Sequence, residues 1–364
     1  MFNVKKNLAK IIITCLAAGM PLAALPAQAD ASVPGSVIAA SVQMAETYHQ
    51  LSQLNDTEEG RLALFQEMKN KQGVNNDPYL NSRVDTIMAN LSAGVAKADP
   101  SINDMPYNYY INPDTSFNAA CSLGHNMTIN TGIFDLLVTD DEIAVVLGHE
   151  MAHGQKNHVL KGYQQQIPVT LLGTAAAAGG DTAAAIGASV AIINYIDSVH
   201  ITKPQEREAD KLAFEYIANT SYNIGATAAV WQKVIEKYGE SSSSFAGEIF
   251  NPSSDQPGHE ERRDTYAKQI SEYSNKVVTV ANGVVKIHGK EFVAPASTAS
   301  MSGAERSYFV AGNLARYYHK GTRNIAQAYV QNGTVYLEDQ AIMTPAAGDL
   351  SAQELADRLN ALQK

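Results

Sequence analysis

The spacing of apolar residues predicts helices and short strands in the first part of the chain. Residues 36–70 follow the pattern of an amphipathic helix, and a second helix is expected to begin at Asp77. The apolar face of the second helix carries Val84, Ile87, Met88 and Leu91. Short strands are predicted at Met105–Ile111, which prolines bound, and at residues 125–130, where apolar and polar positions loosely alternate.

The clearest helix is expected to begin after Thr139. Thr139 and Glu142 have the spacing of a capping box, in which each side chain accepts a backbone N–H of the other residue. The apolar run Ile143–Leu147 follows at once, and the pattern continues to about His158. We therefore predict one well-capped helix that ends near His158.

Residues 167–196 are mostly small and apolar, with Asp181 in the middle. Alanine and glycine bury little apolar area, so we favour a tightly packed helical hairpin over insertion into a membrane. Membrane contact by this segment stays open.

The C-terminal part of the chain contains an internal repeat. Residues 278–295 and 329–345 each place two β-rich runs around an Asn-Gly pair, which is the strongest short hairpin signal. A predicted helix with an acidic residue near its start follows each unit. We therefore predict two ββα repeats in a small α+β domain over residues 275–364, after a larger domain over residues 30–272.

The N-terminal residues predict a signal peptide. Three lysines precede a short apolar stretch, and residues 27–29 read Ala-Gln-Ala, the small-x-small pattern of a cleavage site after Ala29. We therefore expect residues 1–29 to be removed and the mature protein to be exported to the periplasm. The alternative is a lipoprotein attached through Cys15, although Thr14 is a poor match for the residue before a lipidated cysteine.

The balance of charge excludes one broad class of function. The 37 acidic residues outnumber the 27 lysines and arginines and give a net charge of −10 at pH 7. A nucleic-acid binder needs a basic face, so no nucleic-acid partner is expected. With two cysteines in the chain, Cys15 and Cys121, a disulfide scaffold is also excluded.

The chemistry-bearing residues lie in the capped helix, where residues 149–153 read His-Glu-Met-Ala-His. Side chains four residues apart share one face of a helix, so His149 and His153 can bind a single metal ion. Glu150 lies about 100° round the helix, where it can contact a metal-bound water instead. The HExxH spacing therefore predicts a catalytic metal site.

A third ligand is expected further along the chain. Metzincins would need glycine at position 156 and histidine at position 159, and this chain has Lys156 and Val159. Residues 206–210 read Glu-Arg-Glu-Ala-Asp, in which Glu206 and Asp210 share a helix face. We therefore predict Glu206 as the third ligand and Asp210 as the acceptor of the outer N–H of a ligand histidine.

Two nearby residues are weaker candidates for the metal site. Glu208 is about 200° from Glu206 on the helix, and His158 is about 140° from His153. Both side chains are therefore expected to face away from the metal. His158 is expected to make a structural hydrogen bond instead.

The motifs together resemble a known family. Asn118–Gly132, the HExxH helix and the Glu-Arg-Glu-Ala-Asp sequence are similar to those of the zinc metallopeptidases that include the CAAX prenyl endopeptidases and the HtpX-like proteases, metallopeptidase family 48. The likeness covers roughly residues 58–270. It implies a mainly helical zincin domain of the gluzincin type with a small edge-strand sheet, so the overall fold class is α+β.

The same resemblance implies the roles of the site residues. One Zn²⁺ per chain would be bound by His149, His153 and Glu206. Glu150 would be the catalytic acid and base, and Asp210 would orient His149.

The resemblance also implies where a substrate lies. Residues 123–130 would form the strand at the edge of the cleft, with which an extended peptide can pair. The residues expected to contact the peptide are Leu123, Gly124, His125, Asn126 and Met127. His259 and Arg262 are the candidates for a second oxyanion donor. Gln256 stands where the family often has histidine, so closure of the site by this loop is expected to be weak.

The function expected from these features is that of an exported zinc endopeptidase. Its substrates would be unfolded or misassembled envelope proteins, hydrolysed by attack of a zinc-bound water with Glu150 as general base. The alternative is a chaperone-like envelope binding protein that uses the C-terminal repeats. The sequence leaves open the physiological substrate, the oligomeric state and any association with a membrane surface or an envelope complex.

Overall fold

The computed structural model describes residue 45 and residues 48–164, 201–239, 258–321 and 326–363. The fold in these ranges is α+β, as expected, with most residues in helices and the strands in small sheets. None of the helices in the same ranges is both long and apolar enough to span a bilayer. The predicted signal peptide with Cys15, the segment 167–196 and Gln256 lie outside the described residues.

Two N-terminal helices flank the first sheet. Residues 48–56 are helical, but the helix predicted over residues 36–70 is interrupted at Thr57, which caps α1 (Glu58–Gln72) by accepting the N–H of Gly60. Helix α2 (Pro78–Ala98) begins after Asp77, with proline in its first turn. All four residues predicted for its apolar face are buried: Val84, Ile87, Met88 and Leu91.

The first sheet has three strands in the order β1-β3-β2: β1 (Asn108–Asn112), β2 (Ala119–Cys121) and β3 (Asn126–Asn130). Strand β3 is parallel to β1 and antiparallel to β2, so both of its sides are paired. The expectation that residues 123–130 form an edge strand is therefore wrong. Leu123–His125 is a 3₁₀ turn. The edge strands are β1 and β2, and β2 is too short to show an alternating pattern.

Four helices form the centre of the molecule. The short α3 (Ile133–Leu136) leads into α4 (Asp140–Gln155), which has the predicted capping box and carries the HExxH residues. Helix α5 (Lys203–Ala218) packs along α4 and carries Glu206 and Asp210. Helix α6 (Ala226–Tyr238) packs on α4 and on α7 (His259–Tyr273).

Each C-terminal repeat is a βββα unit. It therefore has one strand more than the predicted ββα unit. The first contains β4 (Val278–Ala281), β5 (Val284–Ile287), β6 (Lys290–Val293) and α8 (Gly303–His319). The second contains β7 (Tyr329–Gln331), β8 (Thr334–Leu337), β9 (Gln340–Met343) and α9 (Ala352–Leu362). The pair His288-Gly289 has positive φ at both residues and turns the chain into β6 without the Asn-Gly signal.

The repeats share a core with the helices before them. Helix α8 packs on α6 and α7, and apolar side chains from both sides of residue 275 belong to one cluster. Asn223, just before α6, donates from Nδ2 to the carbonyl oxygen of Phe309 (3.0 Å) and to Oδ1 of Asn313 (2.8 Å), both in α8. A separate domain from residue 275 stays a prediction, and truncation there would expose part of the common core.

A buried ion cluster joins the repeats to the start of α4. Lys233 Nζ, on α6, lies 2.6 Å from Glu142 Oε1 of α4 and 3.4 Å from Glu305 Oε2 of α8. All three residues are buried. Burial raises the pKa of Glu305 to about 7, although the charge of Lys233 opposes this shift. The lysine is therefore the cation that allows two carboxylates to meet in the core.

We expect Lys233→Met to destabilise the protein strongly, because it leaves Glu142 and Glu305 buried without their cation. Breaking a buried ion pair in this way typically costs about 3–5 kcal/mol. Urea unfolding of the metal-free protein would measure the change. Lys237→Met, at an exposed position of the same helix, is the matched control and should shift the free energy of unfolding by about 0.5 kcal/mol or less. Equal effects of the two variants would contradict this role of the cluster.

Candidate metal centre

Three buried side chains meet between α4 and α5. The Nε2 atoms of His149 and His153 are 3.0 Å apart. Glu206 Oε2 lies 3.4 Å from His149 Nε2, and Glu206 Oε1 lies 3.6 Å from His153 Nε2. In the described part of the chain, this is the one cluster of histidine, cysteine and acidic side chains with the spacing of a metal site. Two imidazoles and one carboxylate are a ligand set of catalytic zinc.

Both helices that carry the cluster have capped N-termini. In α4, Thr139 N–H donates to Glu142 Oε2 (3.0 Å), and Glu142 N–H donates to Thr139 Oγ1 (3.2 Å). In α5, Thr202 N–H donates to Gln205 Oε1 (2.8 Å), and proline stands in the first turn. The capped ends fix where each helix begins, and the i, i+4 spacing then places the side chains on the facing sides.

Asp210 holds the outer nitrogen of His149. Its Oδ1 lies 3.1 Å from His149 Nδ1 and accepts a hydrogen bond from the hydroxyl of Tyr266 (2.9 Å). Arg262 Nε donates to Oδ2 (2.8 Å), and Arg262 Nη2 donates to Oδ1. Burial would raise the pKa of Asp210, but Arg262 and His149 hold it well below its usual range. Asp210 is therefore a charged acceptor that can fix the orientation of the His149 ring.

Arg262 is held on all sides. Its guanidinium lies 3.8 Å from the ring centroid of Trp231, and Arg262 Nη1 is 3.4 Å from Glu206 Oε2. Its Nη2 lies 3.2 Å from His149 Nδ1 and 3.4 Å from His149 Nε2. Arg262 thus contacts two of the candidate ligands as well as Asp210, and its role as an oxyanion donor stays a prediction. His259 Nδ1 lies 3.1 Å from the carbonyl oxygen of Gly239, and its ring packs against Trp231. Its role as an oxyanion donor also stays a prediction.

His158 contacts the second ligand histidine, contrary to the helical-wheel expectation. The wheel assumed that the helix continues to residue 158, whereas α4 ends at Gln155. Asn157 then has φ +51°, which turns the chain back. As a result His158 Nδ1 lies 2.9 Å from His153 Nδ1, and both rings are buried.

Glu150 lies between the cluster and the edge strand. Its Oε2 accepts the N–H of Cys121 in β2 (2.9 Å), whereas Oε1 accepts no hydrogen bond from the described residues. Gly154, one turn further on, allows this approach: a Cβ there would lie 2.4 Å from the Tyr107 hydroxyl and 3.0 Å from Cys121 Sγ. Burial raises the pKa of Glu150 to about 7, although the charge of His149 lowers it.

The pKa values of the ligands follow from burial and from their mutual charges. Burial lowers the pKa of His153 to about 3, so its ring is neutral. Burial would raise the pKa of Glu206, but the contact with His149 and nearby positive charges hold it at about 2. For His149, burial and Arg262 act to lower the pKa, but Asp210 and Glu206 raise it to about 9. The site therefore favours positive charge between its two carboxylates.

The chemistry of this donor set fits a divalent cation. Three carboxylates, those of Glu150, Glu206 and Asp210, are buried here with one guanidinium, so a dication balances their charge when the histidines are neutral. Oε1 of Glu150 accepts no hydrogen bond from the described residues, and Oε2 of Glu206 has long contacts of 3.4 Å to His149 and Arg262 but no hydrogen bond from them. Buried oxygens without a donor are costly unless an ion or water contacts them. His149, His153 and Glu206 thus fit as metal ligands, with Glu150 beside a water.

The residues predicted to contact substrate are in the wrong place for that role. Leu123, Gly124, His125, Asn126 and Met127 are all buried in the 3₁₀ turn and the central strand. Asn126 Nδ2, for example, donates to the carbonyl oxygens of Arg61 and Leu123. The side of the sheet that reaches Glu150 belongs to β2 instead.

Sequence reasoning missed two contributors to the site and misplaced a third. Tyr266 and the N–H of Cys121 contact site carboxylates, and His158, expected to face away, contacts the ring of His153. The proximity of His158 to the HExxH motif was a usable signal, but its direction depended on where α4 ends. Nothing in the local pattern marked Tyr266 or the backbone of Cys121.

Comparison with known proteins agrees with the geometry. The family model described as Peptidase family M48 matches residues 77–294, which is more than half of the chain and contains all the ligand and acid residues above. The fold and the site define the class as HExxH metallopeptidases. The chain belongs to peptidase family M48, and the resemblance read from its motifs is confirmed.

Several relatives match part of the chain. Metalloprotease LoiP of Escherichia coli K12 is 26% identical over 148 residues, which cover 40% of this chain and 58% of that protein. The beta-barrel assembly-enhancing protease of the same strain is 21% identical over 244 residues, covering 65% and 47%. The protein of that name from Yersinia pestis is 23% identical over 175 residues, covering 44% and 34%. The chain thus spans only part of the length of each relative.

We expect Asp210→Ala to weaken zinc binding, because His149 loses its acceptor and Arg262 stays buried beside it. Partners of ligand histidines typically contribute about 10- to 100-fold in metal affinity. Competition with a chromogenic chelator would measure the dissociation constant. Asp264→Ala, an exposed acid on α7, is the control and should leave the constant unchanged. Wild-type affinity of Asp210→Ala would show that Asp210 does not orient the ligand.

Proposed function

We propose that the chain is a zinc-dependent endopeptidase. The proposal is carried by the position of Glu150 beside the cluster of His149, His153 and Glu206. One oxygen of Glu150 is held by the Cys121 N–H, and the other accepts no hydrogen bond from the described residues. A structural zinc site closes with four protein ligands and has no use for such a carboxylate.

In the proposed reaction, zinc and the side chains of the site have different roles. Zinc on three protein ligands supplies a Lewis acid that polarises the peptide carbonyl and lowers the pKa of a water. Glu150 takes the proton from the attacking water at Oε1 and later gives it to the leaving amine. Burial raises the pKa of Glu150, which favours its transient protonation between the two transfers. Asp210 and Arg262 keep the His149 ring in place during the reaction.

The substrate is proposed to extend along β2. Ser122 N–H donates to Asn126 of β3, so by alternation the peptide groups of Ala119 and Cys121 point away from β3. The Cys121 N–H reaches Glu150, so this outer side of β2 runs beside the catalytic carboxylate. Pairing through the backbone does not depend on side chains and therefore suits unfolded segments of many sequences.

The relatives support a substrate class. Two of them are named beta-barrel assembly-enhancing proteases. We therefore propose unfolded or misassembled envelope proteins as substrates, and a place in the periplasm after cleavage behind Ala29. Partners would then belong to the machinery that assembles envelope proteins.

We expect Glu150→Gln to keep zinc and lose proteolysis, because the amide retains the shape but cannot accept the proton. General-base catalysis contributes typically about 10²–10⁴-fold. Casein digestion, with zinc measured by plasma mass spectrometry, would test both properties. Glu59→Gln, at an exposed position of α1, is the control and should keep both.

Normal digestion by Glu150→Gln would overturn the proposal. Prevention of aggregation by both Glu150→Gln and wild type, without cleavage by either, would favour the chaperone-like binder instead.

Peptide substrates with single N-methyl groups would test binding as an added strand. Every second peptide group of a strand pairs with its neighbour, so methylation should lower kcat/KM at alternate positions only. The expected loss is about 3- to 10-fold at each affected position, because one hydrogen bond contributes about 1 kcal/mol. Side-chain substitutions at the same positions serve as the control and should have smaller effects. A loss of kcat/KM that does not alternate from one peptide position to the next would contradict strand pairing.

A further inference from the structure

We propose that His158 and Glu208 are positioning residues that orient the ligand His153; this inference rests on the zinc site proposed above. His158 Nδ1 lies 2.9 Å from His153 Nδ1, and His158 Nε2 lies 3.2 Å from Glu208 Oε2. The side chain of His158 is 1% exposed, whereas that of Glu208 is 49% exposed. The three groups form a chain of contacts from the ligand ring to the surface.

The direction of each hydrogen bond follows from what the metal requires. Zinc binds a nitrogen lone pair, so a neutral His153 with Nε2 towards the metal carries its proton on Nδ1. That proton is donated to His158 Nδ1, which must then be an acceptor. The proton of a neutral His158 is consequently on Nε2, from where it is donated to the Glu208 carboxylate. Glu208 thus selects the tautomer of His158, and His158 selects that of His153.

The local backbone holds His158 in this position. The left-handed residue Asn157 directs the chain away from the axis of α4, and its Oδ1 accepts a hydrogen bond from Asn55 Nδ2 (3.2 Å). The rings of His153 and His158 meet edge to face, with centroids 5.0 Å apart. The ring of His158 therefore has a defined place before any metal binds.

The arrangement gives each ligand histidine a carboxylate from α5. Asp210 contacts His149 directly, and Glu208, two residues earlier, reaches His153 through His158. Asp210 is buried and also paired with Arg262, whereas water can replace the half-exposed Glu208. Loss of His158 should therefore weaken metal binding more than loss of the Glu208 charge.

Four variants of the full chain test the proposal. His158→Leu removes the acceptor, His158→Asn keeps an oxygen near the position of Nδ1, and Glu208→Gln keeps an acceptor without charge. Glu215→Gln, at an exposed position of α5, is the control. Chelator competition measures zinc affinity, and the visible absorption of bound Co²⁺ reports the ligand geometry.

We expect His158→Leu to weaken zinc about 10- to 100-fold and to change the Co²⁺ spectrum. His158→Asn should recover most of the affinity, Glu208→Gln should lose only a few-fold, and the control should match wild type. Rescue by asparagine separates positioning from packing, because leucine fills the space at least as well as asparagine.

Wild-type affinity and spectrum in His158→Leu would overturn the proposal. So would equal losses in the leucine and asparagine variants, because packing rather than the acceptor would then matter. If His158→Leu does not fold, wild-type values in both Glu208→Gln and a soluble His158→Phe would overturn it. Failure of the wild type to bind zinc would overturn the proposed function itself, whereas zinc binding that is indifferent to His158 would overturn this inference alone.

Discussion

The structure around α4 depends on the neutralisation of buried charges. Glu206, Asp210 and Arg262 are buried 3.1–3.4 Å from His149, and Glu150, the next residue along the chain, is buried as well. An isolated ion in such a place costs several kcal/mol, so each group requires a partner in a defined position. The partners come from α4, α5 and α7, and the site therefore exists only when these three helices pack together. A divalent metal bound at the proposed site would complete this balance of charge.

The surrounding elements serve the same requirement at longer range. The sheet approaches α4 closely because Gly154 has no side chain, and this brings the Cys121 N–H to Glu150. At the other end of α4, Lys233 balances Glu142 and Glu305 and connects the helix to the first C-terminal repeat. The helix that carries the ligands is therefore constrained by charged groups at both of its ends. The repeats contribute to this constraint although they carry none of the ligands.

Helical periodicity predicted that His149, His153, Glu206 and Asp210 come together, because all four lie inside helices whose phase the sequence defines. Their roles towards a metal stay a prediction. Helical periodicity failed for His158, because the answer depended on the end of α4 and on the left-handed residue that follows. The order of the first sheet could not be predicted either, since strand order is set by tertiary pairing and β2 has three residues. The third strand of each repeat was missed for a similar reason, because its turn in the first repeat lacks the Asn-Gly signal. The contacts of Arg262 with Asp210 and Glu206 depend on packing between α5 and α7, which no local pattern encodes.

X-ray absorption at the zinc edge of the loaded protein would test whether two histidines and one glutamate bind zinc, with Glu150 beside it. The expected first shell contains only nitrogen and oxygen, at about 2.0–2.2 Å, with the scattering pattern of two imidazoles. Cys121, whose N–H contacts Glu150, is the nearby residue that could supply a sulfur ligand instead. A sulfur neighbour at about 2.3 Å, or the scattering pattern of a single imidazole, would rule out this ligand set.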